Sequence, residues 1–177
     1  MSYSSGRILL SSQREGQVSR FRAWVMVVVP LAAILFQVYI PLFFQFLKFI
    51  EMPLLVVVYF ALMRRNQIGG LLVGAMIGLA QDSLSKNPLG MYGIVNTWVG
   101  YVAASVGARL DVDHSVIRFL LAVFFYLVHQ VSYWILEHMF LGHQSAFKID
   151  EWMVFGVLNA IVAVALFHFL DKLREPA

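Results

Sequence analysis

The residues best suited to chemistry share one apolar stretch, roughly 116–140, where Tyr126, His129, Tyr133 and Glu137 recur at helical spacing. Steps of three and four put all four on one side of a helix. Inside a bilayer that side could line a small-molecule pocket, with Trp134 beside it, or form a proton path. The plainer alternative is hydrogen bonding between helices, worth about 0.6 kcal/mol per bond. The alternative has the better support. A proton path needs a carboxylate near mid-membrane, and all 10 Asp and Glu residues can be placed near the interfaces or in the tails. Glu137, His138 and His143 could be drawn as a zinc site, but the step from His138 to His143 matches no standard helical pair. The chain has no cysteine, which excludes a disulfide framework, a thiolate nucleophile and Cys-type zinc sites. There is no HExxH, no Gly-x-Ser-x-Gly and no phosphate-binding loop. An intramembrane enzyme is therefore the least supported class, and no cofactor is expected.

A second pattern concerns packing. Residues 69–93 read GGLLVGAMIGLAQDSLSKNPLGMYG, with Gly70, Gly74 and Gly78 four apart. Glycines at that interval stack on one helix face and let two backbones approach closely in lipid. The face could receive a partner's transmembrane helix or another helix of the same chain. The second is favoured, because several helices offer many internal contacts. Gly93, Gly100 and Gly107 follow at intervals of seven, and a short turn would bring the two runs together antiparallel. Asp82 leaves the glycine run. It could bind a cation, receive a helix N-terminus, meet a basic partner residue, or hold the turn that Asn87-Pro88 signals.

These residues need helices to position them. The chain is 60% hydrophobic and 13% charged, with a mean hydropathy of +0.77. Soluble domains lie nearer 45–50% apolar and about 25% charged. The expectation is a single all-α integral membrane domain. Six apolar runs cover roughly 23–44, 49–63, 68–80, 89–108, 116–140 and 152–170. A span needs about 20 residues. Runs one, four, five and six meet that, while two and three are short. A re-entrant hairpin for the short pair would put Arg64 and Arg65 near mid-membrane. Each would then cost at least about 2.5–3.5 kcal/mol, so two short or tilted spans are expected. Pro30 and Pro41 are expected to kink the first run. Trp24 and Trp152 read as interfacial anchors.

With six spans, one side holds Arg7, Arg14, Arg20, Arg22, Arg64, Arg65, Arg109, Arg118, Lys172 and Arg174. The other holds Lys48, Lys86 and Lys148. This asymmetry predicts both termini in the cytoplasm. The domain then spans 23–170, between a basic tail over 1–22 and a short tail over 171–177. A membrane lipid surface with anionic headgroups explains the net charge of +3 without nucleic acid. The first run is too long for a cleavable signal peptide. The loops are too short to hold a separate catalytic domain.

One stretch resembles a known family. Met52-Pro53-Leu54-Leu55 opens the second run. The third carries Gly74-x-x-x-Gly78-Leu79-x-x-Asp82, then a short polar turn and Leu89-Gly90. This pattern looks like the rod shape-determining protein MreD family, with matching positions Pro53, Gly74, Gly78, Leu79, Asp82, Leu89 and Gly90. The resemblance implies a non-enzymatic scaffold subunit of the cell-elongation and peptidoglycan-synthesis machinery, in the bacterial cytoplasmic (inner) membrane. It implies association with an MreC-like bitopic protein, with a RodA-like glycan polymerase and class B penicillin-binding transpeptidase, and indirectly with MreB filaments. It also implies a compact bundle resembling the substrate-binding subunits of energy-coupling-factor transporters, with an outward groove. From the glycine spacing and the resemblance together, Pro53, Gly70, Gly74, Gly78, Asp82, Leu89, Gly90, Gly93 and Gly100 are candidates for helix packing or partner binding, and the resemblance assigns no residue a catalytic role. The alternative function is capture of a vitamin-type substrate for a transporter, using Tyr126, His129, Tyr133 and Glu137 as an outer groove. Against it, the first run lacks the small-x-x-x-small pair through which such subunits dock; Ala32 and Ala33 are adjacent.

Overall fold

A computed structural model of the protein describes residues 21–22, 24–85, 88–142 and 147–174. Most of the N-terminal tail, Lys86, Asn87, His143 and the last three residues lie outside the described residues, and with them one end of the zinc reading. The six apolar runs form six helices. They are α1 (Val25–Tyr39), α2 (Met52–Arg64), α3 (Gln67–Leu84), α4 (Met91–Gly107), α5 (Ser115–Leu136) and α6 (Ile149–Asp171). Among the described residues there is no strand, only an isolated backbone bridge between Phe21 and Arg174.

α1 continues past Pro30, and the break comes at Pro41 instead. There the chain passes through two short 3-10 turns, Ile40–Leu42 and Gln45–Phe49, before α2. Pro41 sits at the start of the first turn, where proline's missing N–H is not needed.

α2 is the core of the molecule. Its residues from Pro53 to Met63 are all buried, and it touches each of the other five helices. A helix that is apolar all round must be wrapped. Its 13 residues make a rod of about 20 Å at 1.5 Å per residue. Among the described residues, four stretches are long and apolar enough to cross a membrane: Val25–Leu42, Gln45–Arg64, Ser115–Phe140 and Ile149–Asp171. The second run therefore reaches spanning length once the 3-10 turn before it is counted. The fourth, expected at full length, shortens to 17 residues because Gly90 adopts a left-handed turn (φ 97°) ahead of it. α3 and α4 carry glycines together with Gln81, Asp82 and Asn96, which dilute their apolar character. They lie against one another along their length.

The connections set the register. Arg65 takes the left-handed conformation (φ 52°), and the Asn66 side chain accepts a hydrogen bond from the Gly69 N–H at 3.0 Å. This tight turn starts α3 directly after α2. α5 and α6 pair with each other, with Gly156 seated on the Tyr126 ring. α5 ends in a widened π turn, Glu137–Leu141, followed by Gly142 at φ 63°. Arg64, Arg109, Arg118 and Arg174 thus gather at one end of the bundle. Glu51, Asp82 and Glu137 lie toward the other.

Candidate functional site

The glycine runs meet each other. A Cβ on Gly70 would fall on the Gly100 carbonyl, one on Gly74 on the Asn96 carbonyl, and one on Gly78 on the Tyr92 carbonyl and the Gly93 Cα. The reverse holds for Gly100 against Gly70. Each step of four along α3 is matched by four back along α4, so the seam is antiparallel and brings backbone against backbone at its crossings. Gly93 seats Leu79 and the Asp82 carboxylate, and Gly107 seats the Leu62 backbone of α2. Pro53 is buried at the first turn of α2. Leu89 is exposed in the turn.

Asp82 closes the seam. Its Oδ2 accepts from the Gly90 and Gly93 N–H groups at 3.0 and 2.8 Å, and its Oδ1 accepts from the Tyr92 N–H at 3.1 Å. A carboxylate at a helix N-terminus takes up N–H groups that have no partner within the helix and faces the positive end of the helix dipole. Of the roles open to it in sequence, the geometry is that of receiving a helix N-terminus.

A second group lies between α2, α3, α4 and α5. Asn96 Nδ2 donates to Gln81 Oε1 at 3.4 Å, and the Gln81 side chain lies beside the Glu51 carboxylate. The Glu51 N–H donates to Asn159 Oδ1 at 2.8 Å, and the Met52 N–H to Gln37 Oε1 at 3.2 Å. Asn159 also donates to the Phe49 and Phe155 carbonyls at 2.7 and 2.9 Å. Gln37 and Asn159 thus act between helices, fixing the start of α2. Tyr92 stacks on His129 with centroids 5.8 Å apart and tilts against Tyr133 at 5.1 Å. The Tyr126 hydroxyl accepts from Gln130 at 2.7 Å. Tyr92, Tyr126 and Tyr133 all lie within electrostatic reach of Glu51. Glu137 begins the π turn, within reach of Tyr133.

Of the four residues singled out on the fifth run, Tyr126, His129 and Tyr133 gather near Tyr92 and Glu137 lies beside Tyr133, but the polar centre next to them is Glu51 with Gln81 and Asn96. Neither Glu51 nor Gln81 stood out in sequence. The signal available was Glu51 directly before Met52-Pro53, a charge at the mouth of an otherwise apolar run. Four buried atoms here find no hydrogen-bond partner among the described residues: Glu51 Oε2, Asn96 Oδ1, and both ring nitrogens of His129. His138 stacks on Trp134 with centroids 4.2 Å apart. Among the described residues no group of His, Cys, Asp and Glu could hold a metal ion.

The arginine end is built differently. Arg118 is buried, donates from Nε to the Val112 carbonyl at 2.7 Å, and pairs through its terminal nitrogen with Asp171. The Tyr59 hydroxyl donates to the same carboxylate at 2.9 Å. Arg174 reaches Asp171 and Asp113 at 3.6 and 3.7 Å and contacts the Met63 sulfur. Phe21 lies over Tyr59 and Phe60. Sequence reasoning counted Arg118 and Arg174 only for charge asymmetry and placed Asp171 in a tail.

Neither a curated protein nor a solved structure matches the chain. The likeness to transporter subunits thus rests on the family resemblance alone. The model of the family described as rod shape-determining protein MreD matches residues 19–175. That match runs from ahead of α1 to beyond Arg174 and takes in the seam, the Glu51 group and the arginine end alike, so the chain belongs to the rod shape-determining protein MreD family.

Proposed function

We propose that this protein is a multi-pass scaffold of the rod-shape machinery in the bacterial inner membrane. It binds an MreC-like bitopic protein and, through it, a RodA-like polymerase and a class B transpeptidase. The observation that carries this reading is the family match over nearly the whole helical domain. Partner contact falls to the end opposite the arginines, because the glycine seam is already filled by α4. Tyr39, Leu42, Phe43, Phe44 and Phe46 are exposed there after α1, and Met139, Phe140 and Phe147 between α5 and α6. Exposed aromatic rims of this kind suit a partner segment at the membrane surface. Both termini lie in the cytoplasm in this reading, with Arg64, Arg65 and Arg109 on that side.

The test is a mild-detergent affinity pull-down of the tagged protein from its native membrane, with mass spectrometry of proteins and small molecules. MreC-like, RodA-like and transpeptidase chains are expected, and a Phe43→Ser/Phe46→Ser variant should recover fewer of them while remaining folded. Cysteines at Lys86 and Lys148 should label from outside the cell, and one at Arg65 should not. The buried acceptors without partners favour a second reading, capture of a small solute for a transporter. Its sign would be recovery of ATP-binding subunits or of a co-purifying small molecule.

A further inference from the structure

We infer that the Glu51 group is a binding site for a cationic nitrogen, an ammonium or guanidinium, delivered from outside the chain. The inference starts from hydrogen-bond accounting. Asn96 spends its amide N–H on Gln81, which lies beside Glu51. What remains is three acceptors, Glu51 Oε2, Asn96 Oδ1 and one ring nitrogen of His129, against a single donor, the N–H on the other ring nitrogen. Asn96 and His129 are almost fully buried, at 0% and 1% exposure. Buried acceptors without donors keep the cost of losing water with nothing to offset it. A surplus of acceptors around a carboxylate calls for a ligand that is rich in donors and positively charged.

The remaining walls agree. Tyr92 and Tyr133, tilted against each other with centroids 5.1 Å apart, both lie within electrostatic reach of the carboxylate. Aromatic rings attract cations, the more so when desolvated. No lysine or arginine of the described chain answers Glu51. The ion pairs there join Arg118 and Arg174 to Asp113 and Asp171 at the far end, and Lys148 to Glu151 on the surface. Asp82 is the internal contrast: a buried carboxylate whose two oxygens are met by three backbone N–H groups. Two sources offer the cation, a basic side chain of a partner segment or the amine of a lipid headgroup. Assigning it to a partner rests on the scaffold reading; the site itself does not.

The experiment uses the full chain in nanodiscs of phosphatidylcholine and phosphatidylglycerol, titrated with arginine amide, with its neutral isostere citrulline amide, and with ethanolamine. Arginine amide should raise the thermal midpoint saturably, and citrulline amide should not. Glu51→Gln keeps a partner for Gln81 and should stay monodisperse, yet lose affinity by at least about tenfold, as expected for a charged hydrogen bond. Asn96→Leu, a second variant, should weaken the same titration. Equal responses to the two amides, or an undiminished response in Glu51→Gln, would overturn the site. A stronger response to ethanolamine than to arginine amide would assign the cation to a headgroup. If Glu51→Gln loses the titration but recovers partners at the wild-type level, the site stands and its assignment to a partner is overturned. If partners are lost while the titration is unchanged, the site is overturned and the scaffold reading survives.

Discussion

The two ends of the bundle treat buried charge in opposite ways. At the arginine end, Arg118 meets Asp171 and a backbone carbonyl, Tyr59 adds a donor, and Arg174 and Asp113 extend a network linking the α5 end to the α6 end, in which every carboxylate is met by a cation although the buried Arg174 Nε lacks a partner. At the other end, Glu51 shares one neighbour with Asn96 and leaves acceptors unanswered. Closed networks hold helices in register. Open ones cost stability, and they persist where something else completes them. The seam of α3 and α4, sealed by Asp82, belongs with the closed class.

Four substitutions sharpen or break this division. The largest effect is expected on the seam, where Gly74→Leu would push a side chain into the Asn96 backbone. No monodisperse protein should be recovered by size exclusion; a wild-type yield would mean that the seam does not hold the bundle. Asp171→Leu comes next, because it strands the buried Arg118 guanidinium. Its cost should be about 3–5 kcal/mol, read as a large fall in thermal midpoint. Adding Arg118→Met should restore much of that loss, and a double variant no better than the single would deny the coupling. Asp82→Ala leaves three N–H groups of the α4 turn without their acceptor. A loss of about 1–3 kcal/mol is expected, and an unchanged midpoint would remove Asp82 from the closed class. The smallest effect belongs to Glu51→Gln, whose stability should stay within about 1 kcal/mol of wild type. A collapse there would make the Glu51 group another structural network.

The helices and the seam were legible in sequence because periodicity and glycine spacing are local signals. Gly70, Gly74 and Gly78 named one face, and the short loop to Met91 left α4 as the nearest helix to fill it. The place of α2 was not legible. Leu, Val and Phe are equally at home against lipid and against protein, so hydropathy could not tell a wrapped core helix from a short span. The polar groups divide the same way. Tyr126, His129 and Tyr133 came together because they share a helix, whereas Glu51, Gln81 and Asn96 meet from three helices. Arg118 counted only toward the charge asymmetry because the carboxylate that answers it lies 53 residues further on.

That separation bears on how the protein is made. α5 leaves the ribosome carrying Arg118 well before Asp171 is added. At about 5–20 residues per second, 53 residues take some 3–10 s. Through that interval the guanidinium has no carboxylate on α6 to meet, and its long stem lets the charge sit at the membrane interface. It can thereby pin the start of α5 to one surface while α6 is still being threaded. Docking of α6 would then draw the same charge inward, turning a marker of insertion into a lock on the finished bundle.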